Sequence, residues 1–172
     1  MELHRAGQTV SPMTPVITRE LTYEPYAGAS EVVGQLTLVG DDAQRSVPHS
    51  LGLLEVAARL GADLAQMATA YRMSAEIADW LNAHAARHDL DAVELLGVRP
   101  TGIPVTTADD VGTAADQMRD RWAHVAVIDR SDVWIHKGVE YDAVVVDAAG
   151  MTPSEVYLSA SRAAHQLVVV DG

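Results

Sequence analysis

Three short stretches of this chain are apolar at consecutive positions instead of alternate ones: Val125–Ile128 in AHVAVIDR, Ala143–Val146 in YDAVVVD, and Leu167–Val170 in QLVVVDG. A strand with one wet face alternates apolar and polar residues, whereas a strand covered on both faces reads as an unbroken Val/Ile/Leu run. Such runs, separated by stretches of helical periodicity, predict a mostly parallel sheet between two helix layers, a three-layer α/β domain.

The helices have their own signals. SAEIADWLNAHAARH offers Ser74 as a cap and Ile77, Leu81 and Ala85 as one stripe. ADDVGTAADQMRDRW places Asp109 and Asp110 at a helix start, where the macrodipole favours negative charge. TPSEVYLSASRAAH opens with Thr152, Pro153 and Glu155 in the reciprocal capping-box arrangement, and it predicts a helix that includes Arg162. HSLGLLEVAARLG predicts a helix capped by Ser50, stopped by Gly61, and apolar along Leu51, Leu54 and Ala58. Leu36–Val39 and DAVELLGV read as strands, RPTGIPV as an extended connection, and DLAQMATAYR fits strand or helix equally. Residues 1–34, rich in Pro, Thr, Gly and Tyr, read mainly as loop.

Composition narrows the function classes. The 172 residues suffice for one ordinary domain, and 48% are hydrophobic. Phe is absent, so the core rests on aliphatic residues and Met. There is no cysteine, which removes disulfides and thiolate metal sites and fits a reducing, cytoplasmic setting. No apolar run reaches the roughly 20 residues of a membrane span, and the N-terminal stretch has no signal-peptide core. A net charge of -12 opposes nonspecific nucleic-acid binding, since phosphate contacts need clustered Lys and Arg. Lys137 is the only lysine.

Polar clusters fall beside the strands, and parallel sheets bind ligands at the carboxyl ends of theirs. Gly40, Asp41 and Gln44 follow the first run, Arg72 precedes a helix, Lys137, Gly138 and Glu140 precede YDAVVVD, and Arg162 precedes the last run. Two arginines, a glutamine and a glutamate brought together suit a nucleotide: guanidinium forks match phosphate oxygens and a carboxylate accepts from a ribose hydroxyl. Taken singly, each has an ordinary reading as a turn, a solvated charge or loop chemistry. His84 and His88, at i and i+4, read as a solvated helix face, with no third metal ligand. Trp80, Trp122 and Trp134 read as core or sheet-covering residues, and no G-x-S-x-G elbow occurs.

In order along the chain, LTLVGDDAQRS, TAYRMSAEIADWLN, HKGVEYDAVVV and VYLSASRAAHQLVVV resemble motifs III, IV, V and VI of the UvrD/Rep-type superfamily 1 helicases, including their HelD-like branch. The resemblance covers residues 36–170 and implies a RecA-like, P-loop NTPase-like second motor domain over 35–172. Residues 1–34 would be a degenerate remnant of the first motor domain or an N-terminal extension. It implies a nucleotide cleft in which Arg72 and Arg162 approach the γ-phosphate, Glu140 the ribose, and Gln44 couples phosphate to DNA. Lys137 and Gly138 belong to the turn that faces this cleft, and Gly40 and Asp41 form the motif III turn.

Departures from the family matter equally. No G-x-x-x-x-G-K-[ST] occurs, so the backbone cradle and lysine for a triphosphate are absent from this sequence. Aligning Gln8 and Ser11-Pro12-Met13 with the family's Asp-Glu-Ala-Gln region puts Arg5 at the Mg²⁺-binding aspartate and Ala6 at the catalytic glutamate. The resemblance therefore implies a half-motor that does not hydrolyse ATP alone. It would hold ATP weakly, and Mg²⁺ only with a partner that supplies ligands; no catalytic residue and no resident metal are assigned. Other readings stay open. They are a nucleotide- or nucleic-acid-binding module, an acidic interaction scaffold for an RNA polymerase-type partner, and a piece of a longer or split helicase with a companion subunit. DNA is allowed by the family and disfavoured by the charge.

Overall fold

The computed structural model describes residues 39–42 and 52–171. Gln44, Ser50, most of the run Leu36–Val39, and the stretch holding Arg5 and Ala6 lie outside these residues. The chain divides into two compact units, Met1–Ala65 and Gln66–Gly172, so the sequence-derived boundary at 34/35 falls inside the first. Among the described residues no helix is long and apolar enough to cross a membrane.

In the first unit, helix α1 spans Leu53–Leu60. It starts after Gly52, which has no side chain to cap it, and the Asp42 carboxylate accepts instead from the N–H groups of Leu53 (2.5 Å) and Leu54 (3.3 Å). Gly61 ends it in the left-handed region at φ 59°, as its position predicts. The buried side is centred on Val56, and Leu54 is exposed, so the stripe expected along Leu54 and Ala58 is displaced around the helix.

The second unit holds all the described strands. β1 (Thr69–Ala70) pairs in parallel with β2 (Leu96–Gly97). A four-stranded parallel sheet is built from β3 (Thr106–Ala108), β4 (Val125–Ile128), β5 (Tyr141–Asp147) and β6 (Ala163–Val170), in the order β3-β6-β5-β4. Helices α2 (Ala75–Arg87), α3 (Val111–Arg119) and α4 (Pro153–Ala160) cover it. Val145 lies opposite Val168 across β5 and β6 and opposite Val127 across β4 and β5. Ala143, Val145, Val168 and Val170 pack on Ala114, Ala115 and Met118 of α3. Val144, Val146 and Leu167, fully buried and pointing the other way, lie under α2 and α4. Both faces are thus covered, the three-layer α/β arrangement that the unbroken apolar runs predict.

The caps follow the sequence where side chains act locally. Ser74 Oγ accepts from Ile77 N–H at 3.3 Å, and Thr152 and Glu155 form both bonds of the capping box. The prediction that α4 includes Arg162 fails. Ser161 Oγ–H and Arg162 Nε–H both donate to the Leu158 carbonyl, while Arg162 N–H turns to Ser159, so the ladder closes three residues back and the helix ends at Ala160. DAVELLGV contributes only the two residues of β2, and β3 rises from a connection that carries no strand signal. β3 is three residues long with two of them exposed, so no apolar run marks it.

Candidate functional site

β5 and β6 run in the same direction, and the residues in question sit just before each of them begins. Glu140 precedes Tyr141, and Arg162 precedes Ala163. Tyr141 N–H donates to the Arg162 carbonyl at 3.0 Å, which ties the two strand starts together. The site is therefore at the amino-terminal rim of the sheet. The expectation of the carboxyl rim is corrected, because the connection from β4 to β5 and the end of α4 both return the chain to the opposite end.

Arg72 reaches this rim from the turn after β1. Its Nη2 donates to the Ser161 carbonyl at 2.8 Å, and its Nε lies 3.8 Å from Glu140 Oε2. Three sequence-distant stretches thus meet at one guanidinium. The Nε atom is buried and makes no hydrogen bond. The ion pair itself is half-exposed, 38% for Arg72 and 49% for Glu140, so it contributes no more than about 1 kcal/mol. The segment is fixed on both sides: Ser74 N–H donates to Ala164 and Ala75 N–H to Arg99.

Arg162 behaves differently. It is 4% exposed, with Nε and Nη2 donating to Ser161 Oγ at 3.2 and 2.7 Å and Nε to the Leu158 carbonyl at 3.2 Å. Its guanidinium is folded back on the end of its own helix, where a cation meets the negative end of the dipole. Arg72 and Arg162 are brought together around Ser161, but only Arg72 presents its head to solvent.

Lys137 and Gly138 lie in the turns between β4 and β5. Val139 N–H donates to the His136 carbonyl at 3.0 Å, closing a four-residue turn. Gly138 has φ 84° at its third position, where a β-carbon would be strained. Lys137 Nζ sits 6.0 Å from the centroid of the Trp134 ring, at the outer reach of a cation–π contact. Trp134 is 39% exposed and so is no core residue. In the first unit, Gly40 is exposed and Asp41 half-buried.

Several groups escaped the sequence reading. His136 bridges Asp132 Oδ2 (3.2 Å, through Nε2) and the Tyr141 hydroxyl (2.7 Å, through Nδ1). The carboxylate accepts, so Nε2 donates to it, and in a neutral ring Nδ1 then accepts from the tyrosine. This chain of bonds fastens the turn holding Lys137 to the start of β5. Arg99 Nη1 donates to the carbonyls of Tyr71 and Arg72 at 3.2 and 3.3 Å. Its position in a Pro- and Gly-rich connection gave no signal. His84, expected on a solvated face, is buried. Its ring stacks on Trp80 at 5.0 Å, and Nε2 donates to the Pro153 carbonyl at 2.9 Å. Burial holds its pKa below the usual histidine value.

Glu76 organises the loop beyond Arg99. Its carboxylate accepts from its own N–H, from the N–H groups of Thr101 (3.0 Å) and Gly102 (2.6 Å), and from the Thr101 hydroxyl (3.1 Å), and these donors hold its pKa at about 2. A carboxyl group lowered by folding stabilises the fold above its unfolded value of 4.5 and loses that contribution as pH falls towards about 2. Thermal melts from pH 7 to 2 should show Glu76→Gln less stable than wild type at pH 7. The two should converge at the acid end, and parallel curves at all pH values would contradict this account.

Among the solved structures, the helicase nsp10 of PRRSV resembles this chain at 16% identity and a TM-score of 0.41, over 92% of this chain and 36% of that one. The chain thus spans little more than a third of that helicase's length. No family model matches, and no curated protein matches.

Proposed function

We propose that residues 66–172 form a helicase-like, RecA-type domain of the UvrD kind. Its Arg72–Glu140 rim would take the phosphates and ribose of a nucleoside triphosphate as one half of a two-part motor. The observation that carries this reading is the meeting of three separated stretches at Arg72, bonded to the Ser161 carbonyl and paired with Glu140. A half-exposed guanidinium at a strand rim is suited to a phosphate oxygen. Without a P-loop lysine the chain holds the nucleotide weakly and does not turn it over alone. A companion subunit would supply the remaining phosphate contacts and the Mg²⁺ ligands. Titration of a fluorescent ATP analogue should show binding near millimolar, weakened about tenfold in Arg72→Ala. No wild-type binding at millimolar nucleotide rejects the reading. Mg²⁺-dependent turnover by the isolated chain, lost in Arg72→Ala, rejects the half-motor claim alone.

A second reading, an interaction module derived from such a domain, is favoured by one observation. Met67, Tyr71 and Leu96, on and beside the β1–β2 pair, are 87%, 73% and 62% exposed. Under this reading the partner is a protein, and loss of Arg72 leaves the association unchanged.

A further inference from the structure

We infer that Arg99, and not Arg162, is the second guanidinium that meets the phosphate tail beside Arg72. This inference rests on the nucleotide reading above and reassigns one of its contacts. Arg162 is 4% exposed, and its Nε and Nη2 are spent on Ser161 Oγ and the Leu158 carbonyl. Turning it outward breaks charge-assisted bonds and undoes the end of α4, so it is a poor ligand for an anion arriving from solvent.

Arg99 is exposed and lies across the backbone that carries Arg72, with Nη1 on the carbonyls of Tyr71 and Arg72. Among the described residues its Nε and Nη2 make no hydrogen bond, which leaves one side of the fork open. The residue is rigidly mounted. Its own carbonyl accepts from Ala75 N–H at 3.0 Å, and two positions later the chain is clasped by Glu76. A fork held in place by its supporting shell loses little freedom on meeting a phosphate. The neighbouring carboxylates are accounted for: Glu76 is saturated by Thr101 and Gly102, and Glu140 stands 3.8 Å from Arg72. The ligand class is the polyphosphate tail of a nucleoside triphosphate, where multiple charge outweighs the single opposing charge of Glu140.

The test is calorimetric titration of the full chain with ATP and, separately, inorganic tripolyphosphate at low salt. It compares wild type with Arg99→Ala, Arg99→Gln and Arg162→Met, each first shown by thermal melting to be folded. Arg99→Gln keeps an amide that can cap the carbonyls of Tyr71 and Arg72 but removes the charge. About tenfold weaker binding of both ligands in Arg99→Ala and Arg99→Gln, with Arg162→Met near wild type, is the expected result. If Arg99→Gln binds like wild type, Arg99 only positions the loop, and the inference is overturned. If wild type binds, both Arg99 variants match it and Arg162→Met does not, the inference fails while the nucleotide reading stands. If wild type binds neither ligand, both fall. Should Arg99→Ala fail to fold, Arg99→Gln decides alone.

Discussion

Arg162→Ala should lower the stability of the second unit by about 3 kcal/mol, a fall in melting temperature on the order of 10 °C for a unit of this size. The replacement removes charge-assisted hydrogen bonds to Ser161 Oγ and the Leu158 carbonyl, and it empties the volume of the arginine stem at a position 4% exposed. Two effects reduce the loss. The Ser161 hydroxyl still donates to Leu158 at 2.8 Å, and a buried guanidinium no longer has to be desolvated. Arg162→Met, which refills most of the space, should therefore recover roughly half of the stability. Denaturant unfolding of the three proteins measures this directly. Wild-type stability in Arg162→Ala would contradict a structural role for these bonds.

Gly97→Val should cost about as much, roughly 3 kcal/mol, by overpacking. A β-carbon at Gly97 would fall on the Cα of Ala75, well inside contact distance, and 3.1 Å from the β-carbons of Ala75 and Ala78. The clash is with helix backbone, so α2 must move away from β2. Ile77 and Leu81 of the core move with it, and the bond from Ala75 N–H to the Arg99 carbonyl is lost. Gly97→Ala should cost less, and both should also weaken any ligand bound at Arg72. Gly102→Ala is the matched control: its φ of 72° disfavours a side chain, but nothing lies within 4 Å. It should cost only about 1 kcal/mol. Equal costs at the two glycines would contradict close helix–strand packing as the cause.

Legibility differed residue by residue. The Thr152–Glu155 box, the Ser74 cap and the Gly61 stop were readable because each acts within three or four residues of itself. β5 and β6 were readable because their composition reports burial on both sides. β3 was hidden, β1 fell in a stretch that fitted strand or helix equally, and β2 was read as longer than it is, since all three are held by backbone pairing at two or three mostly exposed positions. The Asp42 cap on α1 was hidden as well, because the acceptor lies 11 residues from the amide it serves. At the rim, Arg72 and Glu140 were named from motif spacing, whereas Arg99 belongs to no motif and is placed there by its bond to the Arg72 carbonyl.

The order of side chains along the polypeptide set which segments could be covered on both faces and where most helices begin, since those outcomes depend on neighbours a few residues away. Packing in three dimensions decided the rest. It put the strand starts of β5 and β6 beside the turn after β1, buried one arginine and left two others at the surface. Such choices depend on contacts between residues as many as 89 positions apart, and no local pattern carries that information.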